Sequence, residues 1–275
     1  MNDPTNRAAH RAACAAVTSE DPHVVILTFT AVNLAYLGYV DQARSWIREA
    51  FAEAGQLKHV FSLAHASVMA SWVECVAGSP HDIRRPAEQA VSLSIEHGFS
   101  WWLAYGLIYQ GWSMTSLGDL EEGYSVIAKG LALHRATGSV AYRAFALILM
   151  AEACGKLGRT TEGLNHLTEA EQIIATADDR HHAAELHRVR GDLLNATGDQ
   201  IAAEHSYHQA LSVARRQSAR TLELRAATSL ARLWGDQGKR TEARDLLAPI
   251  YGWFTEGFDT PVLIEAKALL EQLSA

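Results

Sequence analysis

The sequence predicts an all-α protein built as a solenoid of helical hairpins, and two periodic features lead to this prediction. Glycine recurs every 40 residues along most of the 275-residue chain, at Gly38, Gly78, Gly118, Gly158, Gly198 and Gly238. Seven residues before each of these glycines stands a small residue: Ala31, Ser71, Gly111, Ala151, Gly191 and Ala231. A fixed period between about 20 and 50 residues indicates a repeat array. Small residues in a fixed phase allow two helix backbones to approach closely.

Each repeat is predicted to be two helices joined at its glycine, because glycine adopts the left-handed backbone that ends a helix at little cost. Apolar residues at helical spacing flank the glycines, as in 183–196 and 201–216. The predicted hairpins lie at about 21–55, 57–97, 100–137, 139–177, 180–217 and 220–250. A lone helix is predicted at 4–17, and a helix at 260–273 is predicted to cover the apolar end of the array.

Local signals at the helix ends refine these boundaries. A capping residue followed by proline indicates helix starts at Asp21-Pro22 and Thr260-Pro261. Ser100 and Ser139 each follow a glycine, and both are predicted to be N-caps. The strand-like run at 23–30 (HVVILTFT) falls in the phase of a first helix, so it is assigned to a buried helix.

The second repeat departs from the pattern of the others. It contains Pro86 within the region of its second helix, and Ile83 where most repeats have a small residue. Proline in a helix interior removes a backbone hydrogen bond and disfavours the preceding turn. A loop is therefore predicted at about 78–85, with the second helix beginning near Pro86.

The order of small and large residues around the repeated glycine resembles the tetratricopeptide repeat. The fifth repeat shows the order most fully, with Gly191, Leu194, Gly198, Ala203, Tyr207 and Ala210. The resemblance implies a right-handed superhelix, although the period of 40 residues exceeds the usual 34 and implies longer helices or links.

The last third of the chain, about 180–273, has a more specific resemblance. Stretches such as AELHRVRGDLL and ELRAATSLARLWGDQGKRTEARDLL resemble the C-terminal repeat regions of large bacterial regulators. Those regulators join a nucleotide-cyclase or winged-helix DNA-binding domain to a central ATPase. The resemblance implies a regulatory array that senses a partner or an effector. The cyclase and ATPase domains are absent from this sequence, so the resemblance does not imply cyclase or ATPase activity for this protein.

The tetratricopeptide resemblance also implies a binding surface, because the first helix of each hairpin lines the concave face in that family. Carried over by phase, the partner-binding candidates are Trp72, Tyr105, Ile108, Trp112, Glu152, Arg188, Asp192, Asn195, Arg225 and Arg232. The first half of this groove is apolar and aromatic, whereas the second half is charged. Such a groove suits a peptide with an apolar segment and an acidic end. The alternative is a groove filled by the protein's own helices or by a second copy.

Composition narrows the class of protein. The net charge of −7 argues against general nucleic-acid binding, which requires neutralisation of phosphates. No apolar run of membrane-spanning length and no signal peptide is evident from the sequence. Three isolated cysteines suit a reducing compartment. A cytoplasmic bacterial protein without a nucleic-acid or membrane partner is therefore expected.

No motif in the sequence predicts catalysis, a cofactor or a metal. The densest group of possible metal ligands comprises Asp178, Asp179, His181, His182, Glu185, His187, His205 and His208. His181 and Glu185 lie one turn apart, as do His205 and His208, so either pair could share a metal. However, no HExxH motif or cysteine cluster occurs, and helix-start acids and histidines are ordinary solvated caps. Paired acids such as Glu121-Glu122 fall at helix starts, where they favour the positive helix end.

The sequence therefore predicts a non-catalytic repeat protein that binds a protein or peptide segment in its concave groove. Two alternatives remain open. One is a sensor of a small effector, which would show a closed apolar pocket rather than an open groove. The other is an oligomerisation element that pairs with a second copy through an exposed terminal helix.

Overall fold

The computed structural model describes residues 20–177 and 180–274, so the helix predicted at 4–17 lies outside the described part. The described residues form thirteen α-helices and one 3₁₀ turn (Arg180–His182), and no strand occurs among them. In chain order the helices are α1 (Pro22–Leu37), α2 (Val40–Leu57), α3 (Val60–Ala77), α4 (Pro80–His97), α5 (Ser100–Leu117), α6 (Leu120–Ala136), α7 (Arg143–Lys156), α8 (Thr160–Ala177), α9 (Ala183–Ala196), α10 (Gln200–Arg216), α11 (Arg220–Asp236), α12 (Arg240–Tyr251) and α13 (Pro261–Ser274). The predicted all-α class is confirmed.

Inner and outer helices alternate along the chain. The inner helices α3, α5 and α7 are buried over most of their length. The outer helix α2 instead buries one stripe, formed by Val40, Ala43, Ile47, Ala50 and Ala54. A helix that is apolar all round belongs in a core, whereas a single apolar stripe belongs at a surface. The order of these two kinds of helix produces a layered array with one inner wall and one outer wall.

The composition of α3 illustrates this burial. Contrary to the expectation from the sequence, α3 is long and apolar enough to cross a membrane, with a mean hydropathy of 1.4. However, 78% of the helix is buried inside the molecule. Its neighbours on both sides cover it, which is the environment of a core helix.

The repeated glycines end the inner helices, as predicted. Gly38 and Gly118 have φ angles of 97° and 109°, which only glycine adopts readily. At the end of α1 the Gly38 N–H donates to the Ala35 carbonyl and the Tyr39 N–H to the Leu34 carbonyl. These bonds satisfy carbonyl groups that the helix leaves free at its end.

The small residues in phase allow the inner and outer helices to touch. Helices α5 and α6 approach closely, because a Cβ added to Gly111 would lie 2.5 Å from the Gly123 carbonyl oxygen. No side chain larger than hydrogen fits at this point. Glycine at both positions therefore determines the distance between these two helices.

Several predicted helix ends need correction. Asp21 caps α1 as expected, because its carboxylate accepts from the His23 and Val24 N–H groups. In contrast, Ser100 is the first residue of α5 rather than its N-cap. Ser139 precedes a turn, and α7 begins only at Arg143.

The loop predicted at 78–85 is wrong. Helix α4 begins at Pro80 and continues through Pro86. Pro80 occupies the first helical position, where its fixed φ favours the helix and its missing N–H costs nothing. Burial of Ile83 and Ala87 on either side of Pro86 holds the helix together despite the lost hydrogen bond.

The array curls until its last hairpin meets its first two. Helix α11 packs against α1 and α3. The buried Thr221 hydroxyl of α11 donates to the Ala35 carbonyl of α1 at 2.6 Å. Nearby, the Arg44 guanidinium donates to Asp259 at 3.0 Å, and the Gly257 N–H donates to Asp41 at 3.1 Å. We call this contact between the two ends of the array the seam.

Aromatic side chains fill the inside of the curl. The Trp72 ring stacks on Phe145 at a centroid distance of 5.8 Å, and Phe145 stacks on His182 at 4.5 Å. The Trp72 indole N–H donates to the Tyr36 hydroxyl at 2.9 Å. These residues come from α1, α3, α7 and the 3₁₀ turn, so the protein's own side chains occupy much of the expected groove.

Candidate functional site

A cavity with a volume of 570 Å³ opens at the seam. Its wall combines residues of the inner helices with residues of both ends of the array. The lining comprises Gly78, Pro80, His81, Trp112, Ser116, Leu117, Glu152, Arg188, Asp192, Arg225, Thr228, Ser229, Arg232, Pro261, Val262 and Glu265. The cavity therefore exists only because the array curls far enough to bring α13 to the start of α4.

The 40-residue period explains why these side chains line up. Trp112, Glu152, Asp192 and Arg232 stand at the same position of four successive inner helices. Residues one period apart are neighbours along the inner wall. The Trp112 indole N–H donates to Glu152 at 3.2 Å, and Lys156 donates to Ser116 at 2.9 Å.

A buried network of charges forms the floor of the cavity. The Arg188 guanidinium donates to Glu185 on its own helix at 2.9 Å through Nε, and also to Asp192. Arg225 of the next inner helix donates to the same Glu185 oxygen at 2.8 Å. Tyr207 donates to Asp192 at 2.8 Å. Each charge therefore has an opposite partner, as burial requires.

Glu152 is the acidic member that faces Lys156, Arg188 and Arg225. Burial acts to raise the pKa of this carboxyl, but the three cations and the Trp112 hydrogen bond outweigh it and lower the pKa to about 2. Glu152 is consequently ionised at any physiological pH. It keeps a negative charge beside the cavity.

The rim is more accessible than the floor. Arg232 and Glu265 form an ion pair of 2.5 Å across the seam, and their side chains are 49% and 55% exposed. The lining carries three arginines, at 188, 225 and 232, and three acids, at 152, 192 and 265. The cavity thus presents both charge signs to an occupant, whereas the predicted groove offered arginines to the acidic end of a peptide.

The ten predicted partner-binding residues divide into two groups. Six line the cavity: Trp112, Glu152, Arg188, Asp192, Arg225 and Arg232. Trp72, Tyr105 and Ile108 do not line the cavity and are buried in the core, with 5%, 2% and 0% of their surface exposed. Trp112 lines the cavity although it is only 3% exposed. Asn195 is partly buried near the end of α9 and does not line the cavity.

The curl is the physical reason that the aromatic half of the groove is not open. Trp72 is covered by Phe145 and His182, and the Tyr105 hydroxyl donates to the Ala141 carbonyl at 3.0 Å. Burying large aromatic side chains stabilises the array more than leaving them in water.

Sequence reasoning missed the residues that the far ends contribute. Pro80 and His81 start α4, and Pro261, Val262 and Glu265 start α13. No periodic signal connects these segments, because their contact depends on the total curvature of the array. Gly78 gives one sign of this contact, because its missing side chain lets Val262 approach. A Cβ added to Gly78 would lie 3.0 Å from the Val262 side chain.

The histidine-rich group considered in the sequence does not assemble as a metal site in the described part of the chain. Glu185 is engaged by Arg188 and Arg225, and His182 stacks on Phe145. Asp178 and Asp179 lie outside the described residues.

Comparison with known proteins identifies the fold. No protein-family model and no curated protein matches the chain. Among solved structures, the apo form of RapI has a TM-score of 0.54 with 9% identity, over 91% of this chain and 96% of that one. A Rap protein complexed with competence and sporulation factor has a TM-score of 0.54 with 13% identity, over 91% of this chain and 87% of that one. These likenesses show a shared helical-repeat fold, and the predicted tetratricopeptide-like array is confirmed at that level.

Proposed function

We propose that this protein is a non-catalytic regulatory module that binds a short segment of a protein or peptide in the cavity at the seam. The observation that carries the proposal is the cavity itself, with paired charges on its floor and an accessible rim of Arg232 and Glu265. Binding sites of this kind are concave, largely preformed and supplied with a few oriented polar groups.

The chemistry of the cavity favours an occupant that carries both charge signs. Arginines offer forked donors to a carboxylate, and the facing acids accept from an amino or guanidinium group. A peptide terminus or a segment with both an acidic and a basic side chain meets this requirement. The Rap protein that resembles this chain was solved with competence and sporulation factor, which supports a ligand-binding role for such an array.

A small effector is the second candidate, because 570 Å³ lies within the range of about 300–1,000 Å³ typical of small-molecule pockets. The resemblance to bacterial ATPase-linked regulators supports such a sensor role. In either case we place the protein in the cytoplasm, without nucleic acid or membrane as its partner. Self-association through a terminal helix stays a prediction.

The test compares binding by the wild type with binding by two matched variants. A library of short peptides and a panel of charged metabolites are screened by the rise in melting temperature, and hits are titrated by calorimetry. Arg232→Ala removes the rim arginine and is expected to weaken a true ligand at least tenfold. Arg135→Ala removes an equally exposed arginine that pairs with Glu169 on the outer wall, and it should bind as the wild type does.

The class of hit separates the two candidates. A peptide that depends on Arg232 supports the proposed function, whereas a metabolite that depends on Arg232 supports the effector sensor. A ligand that binds both variants equally well would place the binding site elsewhere on the molecule.

A further inference from the structure

A second group of chemically active side chains lies in the fourth hairpin, between α7 and α8. The thiol of Cys154, a carboxylate oxygen of Glu162 and a ring nitrogen of His166 all lie within 4.8 Å of one another. We propose that these three side chains bind a zinc ion that ties α7 to α8.

The hairpin geometry brings the three ligands together. Glu162 and His166 are one helical turn apart on α8, so they share a face. Gly163 lies between them in sequence, and a Cβ there would lie 3.2 Å from the Cβ of Cys154. The missing side chain therefore allows α8 to approach α7, and Glu162 and His166 flank the buried thiol.

The group has an available donor atom. The His166 Nε2 atom is buried, makes no hydrogen bond within the described structure and lies 3.9 Å from the Glu162 carboxylate. An imidazole that carries its proton on Nδ1 has a lone pair on Nε2, and such a nitrogen is a usual metal ligand. A buried ring nitrogen without a partner is costly, and a bound metal would remove that cost.

The donor set is the one that zinc prefers. Sulfur, imidazole nitrogen and carboxylate oxygen bind Zn²⁺ at about 2.0–2.3 Å, which places ligand atoms of a tetrahedral site about 3.4–3.7 Å apart. The observed separations of up to 4.8 Å close to this range by small side-chain rotations. On binding, the thiol releases its proton to solvent, and the thiolate with the carboxylate balances the ion's charge. Water completes the fourth position.

Neighbouring residues support the site. The Tyr124 hydroxyl of α6 donates to the Glu162 carboxylate at 2.5 Å, a contact that orients a metal-binding carboxylate. Arg159 is a cation close to Tyr124 and the site, and its guanidinium donates to Glu121 at 2.8 Å. That ion pair offsets the repulsion that Arg159 would exert on a divalent ion.

The site is separate from the cavity at the seam. Cys154 and Glu152 differ by two positions, which is about 200° around a helix. Glu152 faces the inner wall, whereas Cys154 packs against α8. The zinc proposal therefore does not depend on the proposed binding function.

Cobalt titration of the full chain tests the proposal, because a cobalt–thiolate bond gives a charge-transfer band in the near-ultraviolet. The wild type is expected to bind one Co²⁺ with this band, and Zn²⁺ is expected to displace it. Cys154→Ser should abolish the band. Cys75→Ser removes the other buried free thiol of the described residues and should retain the band.

Two further variants guard against a folding defect in Cys154→Ser, and circular dichroism checks the fold of each. Glu162→Gln alters a ligand that is 44% exposed, and we expect it to weaken Co²⁺ binding at least tenfold. Tyr124→Phe removes the supporting hydrogen bond and is expected to weaken binding about tenfold or more. Absence of the band in the folded wild type would overturn the proposal. So would a band that survives in Cys154→Ser or is lost in Cys75→Ser.

Discussion

At the scale of single residues, Glu152 shows how the repeat period creates a strongly perturbed side chain. Its neighbours along the inner wall are Trp112 one period before and Arg188 on the next inner helix. Lys156 lies one turn further along its own helix, at 3.4 Å. These groups together keep the carboxylate ionised in a partly buried position. Their interactions with the charged carboxylate stabilise the fold, and this stabilisation is lost when the carboxylate is protonated.

The acid stability of the protein should therefore depend on Glu152. Its pKa is about 2 in the folded chain and near the ordinary 4.5 when unfolded, so its stabilisation is complete above pH 4.5 and is lost as the pH falls toward 2. We expect the free energy of unfolding of Glu152→Gln, measured by urea titration, to decline less than that of the wild type between pH 5 and pH 3. Glu49→Gln, on the exposed face of α2, should keep the wild-type slope.

At the scale of the elements, helix contacts depend on where a side chain is missing. Gly111 and Gly123 lie at the crossing of α5 and α6, where an added methyl group would meet a carbonyl oxygen. Gly55, near the end of the outer helix α2, has no atom within 4 Å of the position of an added Cβ. The same residue type therefore has a packing role in one helix and none in the other.

Alanine substitution separates these two roles. Gly111→Ala should lower the free energy of unfolding by about 1–3 kcal/mol, because the helices must move apart. Gly55→Ala should leave it unchanged or raise it by up to about 1 kcal/mol, because alanine is the better helix former. Chemical denaturation of both variants measures the difference. Equal effects at the two positions would contradict the packing argument.

At the scale of the whole molecule, the seam converts an open array into a closed curl. Arg44 of α2 is central to it, because it donates to Glu74 at 2.8 Å and to Asp259 at 3.0 Å. These carboxylates raise the pKa of Arg44 above its ordinary value. The Arg44 side chain is 19% exposed and Glu74 is 12% exposed, so this pair is shielded from water more than a surface pair is. Asp259, the partner across the seam, is 70% exposed.

Charge reversal at Arg44 should open the curl. Arg44→Glu places a carboxylate beside Glu74, Asp259, Asp82 and Asp41, which repel it. We expect a larger radius of gyration by small-angle X-ray scattering, and weaker binding of any ligand of the seam cavity. Arg84→Glu is the control, because Arg84 is 77% exposed on α4 and pairs only with Glu88 among the described contacts. Unchanged scattering from Arg44→Glu would show that the apolar contacts alone hold the seam.

Much of the architecture follows from local signals in the sequence. Repeated glycines, small residues in phase and helical apolar spacing predict the hairpins, because helix ends and helix contacts depend on residues close in sequence. The wrongly predicted loop at 78–85 also has a local cause. Pro86 lies within α4 because burial on both sides outweighs one lost hydrogen bond.

The binding face was predictable only in part. The period places Glu152, Asp192 and Arg232 on one wall, and the structure brings them together around one cavity. The period also places Trp72 and Ile108 on that wall, yet both are buried. The position of a residue within the repeat predicts which helix face it lies on. It does not predict which other residues cover that face.

The sequence by itself determined the class, the repeat and the residues of the inner wall. Only the tertiary structure decided that the wall closes on itself, that α13 completes the cavity and that Cys154 meets Glu162 and His166. The physical reason is that small rotations between successive hairpins add up along the array. The contact between its ends therefore depends on their sum, and no single repeat specifies that sum.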